Sequence, residues 1–393
     1  MSIRLLVAAT HPVQYQAPYF QALAARSGID LKVLYAVLPT PEQQGVGFET
    51  PFQWDVPLLD GYEWGEIEDV HGTDSPGFGA LSAPRMRAQL AREGADALLV
   101  TGWHSKVLVQ AARAARRLGL PVLVRGESND LAPRPWWKRL GHRRLFRSFT
   151  HFLAIGRANR RFYERAGVAA ERIFESPYAV DNGRFVVAAE RHRPQRNELR
   201  RSWNVAGDGF CVLFAGKFQP KKRPFDLLEA LEQARKTRSD LRLLMVGSGE
   251  LDTALRERAR ERRLPVTFTG FLNQTEIPRA YAAADALVLP SDAGETWGLV
   301  VNEAMASGLP AIVSDRVGCR EDLIQDGTTG FSFAVGDTRA LAACMTTLAE
   351  DPIRAAAMGD AAKVRVVSHY SIERAVDGVV AALDGAAVVA HET

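Results

Sequence analysis

Two glutamates bracket a short apolar segment in the second half of the chain, GETWGLVVNEAMASGLP (294–310). Seven residues separate Glu295 from Glu303, and the segment between them begins near a Trp-Gly step. Carboxylates are good acceptors for paired hydroxyl groups, such as those of a ribose or a hexose. The spacing therefore indicates hydroxyl recognition at two depths. The alternative is a surface carboxylate at Glu303 and, at Glu295, a charge that the helix dipole favours.

The surrounding pattern predicts where each glutamate lies. DALVLPS (285–291) is typical of a buried strand, and LVVNEAMAS (299–307) has a helical pattern that ends at a glycine. Glu295 then falls in the loop after the strand, and Glu303 roughly one to two turns into the helix. The first amides of that helix form an end that attracts anions.

Four cations lie in a second strand-to-helix loop, within FAGKFQPKKRPFDLLEA (214–230). Lys217 follows the predicted strand, and Lys221, Lys222 and Arg223 precede the helix. A helix N-terminus already favours anions, so Lys217 and Lys222 can converge on one diphosphate. A solvated charged loop is the alternative.

Length and composition limit the class of protein. The 393 residues suit two domains, and a net charge of +3 excludes the strongly basic field typical of nucleic-acid-binding proteins. The three cysteines lie far apart without metal-ligand spacing, which favours a reducing compartment. The N-terminal apolar run is too short for a signal peptide, and no run is long enough for a transmembrane helix. We therefore expect a soluble cytoplasmic protein.

Short apolar runs alternate with helical patterns, which is typical of parallel sheets. The predicted strands of the first half are 3–9, 31–37, 95–102, 121–127, 149–156 and 172–180. Those of the second half are 210–216, 241–247, 266–271, 285–291, 310–315 and 330–335. Residues 40–80 read as a long ordered excursion, and the polar stretch 188–209 as the inter-domain linker. The pattern predicts an α/β protein with two doubly wound, Rossmann-like domains, whose ligands bind beyond the carboxyl ends of the strands.

Taken together, these motifs resemble those of the retaining family-4 glycosyltransferases. The glutamate–seven residues–glutamate motif (295–303) resembles the corresponding motif of that family. The lysine-rich loop resembles the loop that binds the donor diphosphate in that family. SPYAVDNGRF (176–185) is similar to its interdomain segment. The resemblance is dense over 170–370 and looser over 1–170.

The resemblance implies the GT-B fold, in which two Rossmann-like domains face each other across a cleft. We expect an acceptor-side domain at 1–187 and a nucleotide-sugar-binding domain at 188–367. The C-terminal segment 368–393 would be a helix that crosses back to the first domain.

The resemblance also implies roles for donor-side residues. Lys217 and Lys222 would hold the donor diphosphate and stabilise it as it leaves. Glu295 would contact the donor sugar and Glu303 the nucleotide ribose. The remaining donor contacts would come from the diphosphate loop, the amides that open the helix and the base pocket: Gly216, Trp297, Gly298, Leu299, Gly247, Phe271 and Leu272.

The first half departs from the family pattern at two places. THPVQYQAPYF replaces the usual Gly-Gly turn after the first strand, and PVLVRGES carries Glu127 nearest the usual histidine. Acceptor-side roles therefore cannot be transferred. His11, His104 and Glu127 are our candidates for acceptor contact or general base, with a structural role as the alternative for each. A simple pair between Arg125 and Glu127 is another alternative.

Two aromatic segments suggest partners. FETPFQWDVPLLDGYEW (48–64) is predicted to face the acceptor, with rings that stack on sugars or lipids, unless it packs on itself. RPWWKRLGHRRLFRSF (134–149) combines two tryptophans with six Arg and Lys residues and suits a helix on an anionic membrane. The alternative is a basic surface helix whose apolar side packs on the sheet. Membrane contact would place the protein peripherally on the inner membrane face.

The predicted function is retaining glycosyl transfer of the hexosyltransferase type, from a nucleotide-diphosphate sugar to a glycan or lipid-linked acceptor. We expect a role in bacterial cell-surface polysaccharide synthesis, with no nucleic-acid partner. UDP is the default expectation for the donor base. No cofactor is expected, and no metal, because the chain has no Asp-x-Asp pair. The alternatives are a nucleotide-sugar epimerase or hydrolase on the same fold, and a pseudo-glycosyltransferase that binds without turnover.

Overall fold

A computed structural model describes residues 2–72, 77–205 and 209–391 of the chain. The chain divides into two compact units. Unit 1 comprises Met1–Gln43, Pro57–Tyr178 and Ile372–Thr393, and unit 2 comprises Gln44–Val56 and Ala179–Ser371.

Within the described residues, unit 1 holds a seven-stranded parallel sheet in the order β3-β2-β1-β6-β7-β8-β9. Its strands, with those of a small antiparallel ribbon (β4 and β5), are β1 Ile3–Ala9, β2 Ile29–Tyr35, β3 Glu63–Glu66, β4 His71–Gly72, β5 Leu81–Ser82, β6 Ala97–Val100, β7 Val122–Val124, β8 His151–Ala154 and β9 Ile173–Glu175. The first helices of the chain are α1 Ala17–Ala24, α2 Pro41–Gln44, α3 Met86–Arg92, α4 Lys106–Arg117, α5 Trp136–Leu145 and α6 Arg157–Arg165. The central strands β6, β7 and β8 are buried along their whole length, as expected for a parallel sheet covered on both faces.

In the part of the chain that the structure describes, unit 2 holds a six-stranded parallel sheet in the order β12-β11-β10-β13-β14-β15. Its strands are β10 Cys211–Ala215, β11 Arg242–Val246, β12 Val266–Gly270, β13 Ala286–Leu289, β14 Ala311–Ser314 and β15 Gly330–Phe333. Its helices are α7 Asn182–His192, α8 Arg196–Ser202, α9 Pro224–Ala234, α10 Asp252–Glu261, α11 Ile277–Ala283, α12 Leu299–Ala306, α13 Arg320–Leu323, α14 Thr338–Glu350 and α15 Pro352–His369. Short 3-10 helices occur at Phe146–Ser148, Ala170–Arg172, Arg193–Gln195 and Pro220–Lys222.

Each sheet reverses its winding direction at one pair of strands. The reversal lies between β1 and β6 in unit 1 and between β10 and β13 in unit 2. Loops that leave the carboxyl ends of two such strands diverge and leave a crevice in which ligands bind. The loop with the four cations and the loop with Glu295 are the two that flank the reversal in unit 2.

The prediction of a linker at 188–209 is wrong, because its described residues are mostly helical and pack on unit 2. Arg200 of α8 is buried and donates hydrogen bonds to Asp285, 2.6 Å, and to the carbonyl of Ala283, 2.8 Å. Residues 206–208 of the stretch lie outside the described residues. Arginines that reach buried carbonyls look like solvated polar residues in a sequence, which is why the stretch resembled a linker.

Residues 40–80 are not a single excursion. Glu63–Glu66 forms the edge strand β3, whose short, largely exposed sequence has no apolar run to reveal it. Gln44–Val56 belongs to unit 2, although its neighbours on both sides in the chain belong to unit 1. Residues 73–76 lie outside the described residues.

The last helix, α16 (Ile372–His391), belongs to unit 1 and packs against α1, β8 and β9. A side chain at Gly378 would place its Cβ 2.0 Å from the carbonyl oxygen of Glu175, so this close approach requires glycine. Apart from the segment Gln44–Val56, the chain passes between the units after Tyr178 and again after Ser371. The boundaries predicted at 187 and 367 differ because α7 and the end of α15 pack within unit 2.

None of the helices within the described residues is both long enough and apolar enough to span a bilayer.

Candidate functional site

Two glycines bring the loops after β10 and β11 together. Gly216 and Gly247 have φ values of 145° and 128°, a region that favours glycine. A Cβ on Gly247 would lie 2.0 Å from the carbonyl oxygen of Gly216. The backbone at this edge of the sheet can therefore pack closely beside the cationic loop.

An ion pair joins the two loops at the reversal of the unit 2 sheet. Lys222 Nζ contacts the carboxylate of Glu295, although 73 positions separate the residues in sequence. Both side chains are largely buried, with exposed fractions of 15% and 13%. Ser291 lies 3.4 Å from the same carboxylate. The structure thus brings together Lys222, which is predicted to bind the diphosphate, and Glu295, which is predicted to bind the donor sugar.

Lys217 occupies the start of the same loop. Its Nζ donates a hydrogen bond to the carbonyl of Val46, 2.6 Å away. Burial lowers the pKa of Lys217, and the charges of Lys221 and Lys222 lower it further. A bound anion would oppose the effect of these like charges, so the loop is electrostatically suited to a diphosphate.

Glu303 is buried within unit 2, so the interpretation of it as a helix-surface carboxylate is wrong. Tyr281 of α11 donates a hydrogen bond to its Oε2 at 2.5 Å. Burial raises the pKa of Glu303, while the bond from Tyr281 and the charge of Arg184 oppose the rise. The raised pKa means that the unfolded chain ionises Glu303 at a lower pH than the folded protein does. The free energy of unfolding therefore falls as the pH rises from the ordinary glutamate pKa to the raised one.

The turn that precedes α12 has a special backbone geometry. Gly298 has φ 97°, and a Cβ there would lie 2.7 Å from Leu289 Cδ2. The helix begins at Leu299, so its first amides point toward the carboxyl edge of the sheet. The Trp297 ring is buried, and its Nε1 donates to Asn302 Oδ1 at 2.8 Å. Any ligand contact of Trp297 would thus come from its backbone.

Phe271 and Leu272 lie in the loop after β12 and are half-buried. The Phe271 ring packs against rings of residues 44–56, with its centroid 4.3 Å from that of Phe52 and 4.8 Å from that of Phe48. The aromatics of that segment were predicted to face the acceptor from the first domain. Their placement in the first domain is wrong for Phe48, Phe52 and Trp54, which pack on unit 2 and on one another.

The acceptor-side candidates follow three adjacent strands of unit 1. His11 follows β1, His104 follows β6 and Glu127 follows β7, all at the carboxyl edge of the sheet. Glu127 accepts a hydrogen bond from Tyr178 at 2.5 Å. Although the His104 side chain is exposed, the protein around it lowers its pKa by desolvation, against the charge of Glu127. His104 and Glu127 therefore interact electrostatically.

Arg125 has clear structural contacts. It donates to Ser176 Oγ at 3.1 Å and to the carbonyl of Pro177 at 3.0 Å. Its guanidinium lies 4.7 Å and 4.8 Å from the ring centroids of Tyr19 and Tyr178. With Glu127 and neighbouring residues it lines a cavity of about 10 Å³, about the size of one water.

Tyr281, through its hydrogen bond, and Arg184, through its charge, both act on Glu303. No motif of the sequence marks Tyr281, which lies on α11. Arg184 lies on α7 within SPYAVDNGRF, but nothing in that segment by itself places it near Glu303. Among the described residues, no group of three or more histidine, cysteine or acidic side chains is arranged to hold a metal ion.

Comparisons with known proteins match both halves of the chain. Residues 195–365 match the family of glycosyl transferases group 1, and residues 12–179 match the glycosyl transferase 4-like domain. Glycogen synthase of Mycobacterium tuberculosis is 33% identical over 193 residues, which are 49% of this chain and 43% of that protein. Sulfoquinovosyl transferase SQD2 of Arabidopsis thaliana is 29% identical over 303 residues, 75% of this chain and 52% of that protein.

The matches to these two relatives thus span about half of each relative's length. Among solved structures, Anabaena HepE in complex with UDP and glucose aligns with a TM-score of 0.71 at 20% identity, covering 97% of this chain and 99% of that one. At this identity the likeness shows the fold. Residues 12–179 thus form a glycosyl transferase 4-like domain and residues 195–365 a group 1 glycosyl transferase domain, on the two-unit α/β fold of the GT-B glycosyltransferases.

Proposed function

We propose that this protein is a retaining, nucleotide-sugar-dependent glycosyltransferase of the family-4 type. The observation that carries the proposal is the contact between Lys222 and Glu295 at the winding reversal of unit 2, inside the matched group 1 domain. A cation for the diphosphate and an acceptor for sugar hydroxyls lie side by side there. Buried Glu303, on the helix after Glu295, is the candidate for the ribose hydroxyls.

In the proposed reaction the bond between the anomeric carbon and the diphosphate oxygen breaks. A bond from that carbon to an acceptor hydroxyl forms on the same face, and the hydroxyl proton is released. Negative charge grows on the departing diphosphate, where Lys217 and Lys222 would stabilise it. UDP is our default for the nucleotide. The products are a nucleoside diphosphate and a glycosylated acceptor.

For the acceptor side we propose His104 and Glu127, with His11 as a further candidate. The lowered pKa of His104 favours a neutral imidazole near neutral pH, which can accept a proton. We propose a glycan or lipid-linked acceptor of the kind used in bacterial cell-surface polysaccharides. The glycosyl transferase domains favour transfer over an epimerase, a hydrolase or a non-catalytic protein.

Thermal unfolding with UDP, GDP, ADP and dTDP tests the donor site. A nucleotide at 100 times its dissociation constant should stabilise the native chain by about 2.7 kcal/mol. Glu303→Ala should abolish this stabilisation, because it removes the proposed ribose acceptor. Glu350→Ala, an exposed glutamate at the end of α14, is the matched control and should respond like the native chain. No stabilisation of the native chain by any of the four would contradict the proposal.

We also propose that α5 contacts an anionic membrane surface. Trp136, Trp137 and Leu140 are 75%, 57% and 60% exposed. The segment 134–149 holds six Arg and Lys residues and no acidic residue. Phe146 and Phe149, just beyond the helix, are buried, and Leu145 at its end packs partly against the core, so the apolar side chains of α5 that face solvent are Trp136, Trp137 and Leu140. Exposed tryptophans among cations suit the headgroup region of an anionic bilayer.

Vesicle co-sedimentation tests the membrane proposal. We expect binding to phosphatidylglycerol-containing vesicles that weakens with salt, and little binding to phosphatidylcholine alone. Replacing both Trp136 and Trp137 by Ser should lower the bound fraction at least about 10-fold, because two indoles that would be buried among the lipids are lost. Ile353→Ser, at an 85% exposed apolar position of α15, is the control. Equal sedimentation of the double variant and the native chain would refute the proposal.

A further inference from the structure

We call residues Gln44–Val56 the strap. The chain on both sides of the strap belongs to unit 1, whereas the strap itself packs on unit 2. The strap is held by polar contacts to three neighbouring strand-end loops. Lys217, after β10, donates to the carbonyl of Val46, and Ser248, after β11, donates to the carbonyl of Phe48 at 2.5 Å. After β12, Asn273 donates to the carbonyl of Gln53 at 2.6 Å.

A fourth contact fixes the end of the strap. The backbone amide of Thr275 lies 3.1 Å from Asp55 Oδ1, and the threonine hydroxyl also donates to this carboxylate. The strap therefore runs along the carboxyl ends of β10, β11 and β12, beside the loop that carries Lys222.

The strap contributes aromatic rings to this edge. Phe48, Phe52 and Trp54 join Phe271 in one cluster, with centroid distances of 4.3 to 6.4 Å. All four side chains are half-buried, so each keeps part of its surface exposed to solvent. Partly exposed aromatic rings are stacking platforms for nucleobases, because every base has a π-face.

The cluster is directly connected to the cationic loop. The Nζ of Lys217 lies 4.9 Å from the ring centroid of Phe48, and Phe48 in turn lies 4.8 Å from Phe271. A lysine ammonium has three donors, and Val46 uses one. A diphosphate at Lys217 would thus have aromatic surface within the reach of its attached nucleoside.

We propose that the strap is part of the donor site, and that its rings, with Phe271, form the stacking wall for the base of a nucleoside diphosphate. The inference rests on the proposed function, since it places the diphosphate at Lys217 and Lys222. It assigns nucleotide recognition to a segment outside residues 195–365, the matched group 1 domain. Stacking tolerates any base, so the wall supplies affinity, and other contacts select the base.

The test compares ligands with and without a base. Dissociation constants are measured for the nucleoside diphosphate that the native chain binds best and for inorganic pyrophosphate, by calorimetry or by competition. Phe52→Leu and Trp54→Leu keep an apolar side chain but remove the aromatic face. Each should weaken the nucleoside diphosphate at least about 10-fold and leave pyrophosphate within about 2-fold. Trp64→Leu, on the edge strand of unit 1, is the matched control and should change neither value.

Three outcomes would overturn the inference. Unchanged binding of both ligands would mean that the rings only pack the strap, and equal loss of both would mean that the strap acts by holding Lys217. A third outcome concerns tryptophan fluorescence. If the nucleotide quenches the fluorescence of the native chain and quenches that of Trp54→Phe to the same extent, the base does not stack on Trp54 and lies elsewhere. In these cases the native chain still binds nucleoside diphosphates, whereas failure of the proposed function would show as no nucleotide binding at all.

Discussion

Lys222→Ala should lower kcat for glycosyl transfer by about 100- to 1,000-fold. The variant removes the cation that would stabilise negative charge on the departing diphosphate, and one such group contributes a factor of this order. The measurement is release of nucleoside diphosphate from a panel of nucleotide sugars, using the donor that the native chain turns over. The donor KM should change less than kcat, since most of the lost stabilisation belongs to the transition state.

Lys221→Ala is the matched control for this prediction. Lys221 is the exposed neighbour of Lys222 in the same loop, and its carbonyl, which accepts from the Asp292 amide, survives the substitution. Its activity should stay within about 3-fold of the native value. Lys222→Ala also leaves Glu295 without its lysine, so a thermal unfolding curve must accompany the kinetics. A folded Lys222→Ala protein with native kcat would refute the role of Lys222.

Asp285→Ala should destabilise unit 2 by about 3 kcal/mol, because it leaves a buried guanidinium without its carboxylate. Asp285 accepts hydrogen bonds from Arg196 and Arg200 of α8 and from the amide of Cys211 at the start of β10. The side chain of Arg200 is only 6% exposed. The measurement is urea or thermal unfolding followed by circular dichroism.

Asp285→Asn is the control for the second prediction. Its amide oxygen can still accept from one partner, so we expect a smaller loss, about 1 kcal/mol. Arg92→Ala removes an ion pair with Glu68 in unit 1 whose side chains are 57% and 53% exposed, and its effect should stay below about 1 kcal/mol. If Asp285→Ala were as stable as the native chain, the contacts of Asp285 would not anchor α8.

Several features of unit 2 could be predicted from local sequence. Buried strands followed by helices have a recognisable pattern, so every strand of the unit 2 sheet was predicted to within a few residues. The position of a residue relative to the end of its strand follows from the same pattern. For this reason the amino-acid sequence alone places Lys217, Lys222 and Glu295 at one edge of a sheet. Their roles as ligands remain predictions.

Contacts between distant residues could not be predicted in the same way. Burial of Glu303 depends on Tyr281, which lies on another helix, and no local pattern couples the two. The edge strand β3 is too short and too polar to show an apolar run. The arginines of 193–200 look solvated in sequence, but they reach carbonyls and a carboxylate of unit 2.

The sequence by itself determined the two-unit parallel α/β architecture, because hydrophobic periodicity is a local property of the chain. It also determined which loops carry charge at the ends of the strands. Only the tertiary structure decided that Gln44–Val56 packs on unit 2, because that depends on hydrogen bonds to Lys217, Ser248, Asn273 and Thr275, which follow 160 or more positions later. Short polar contacts over such separations leave no periodic trace in a sequence.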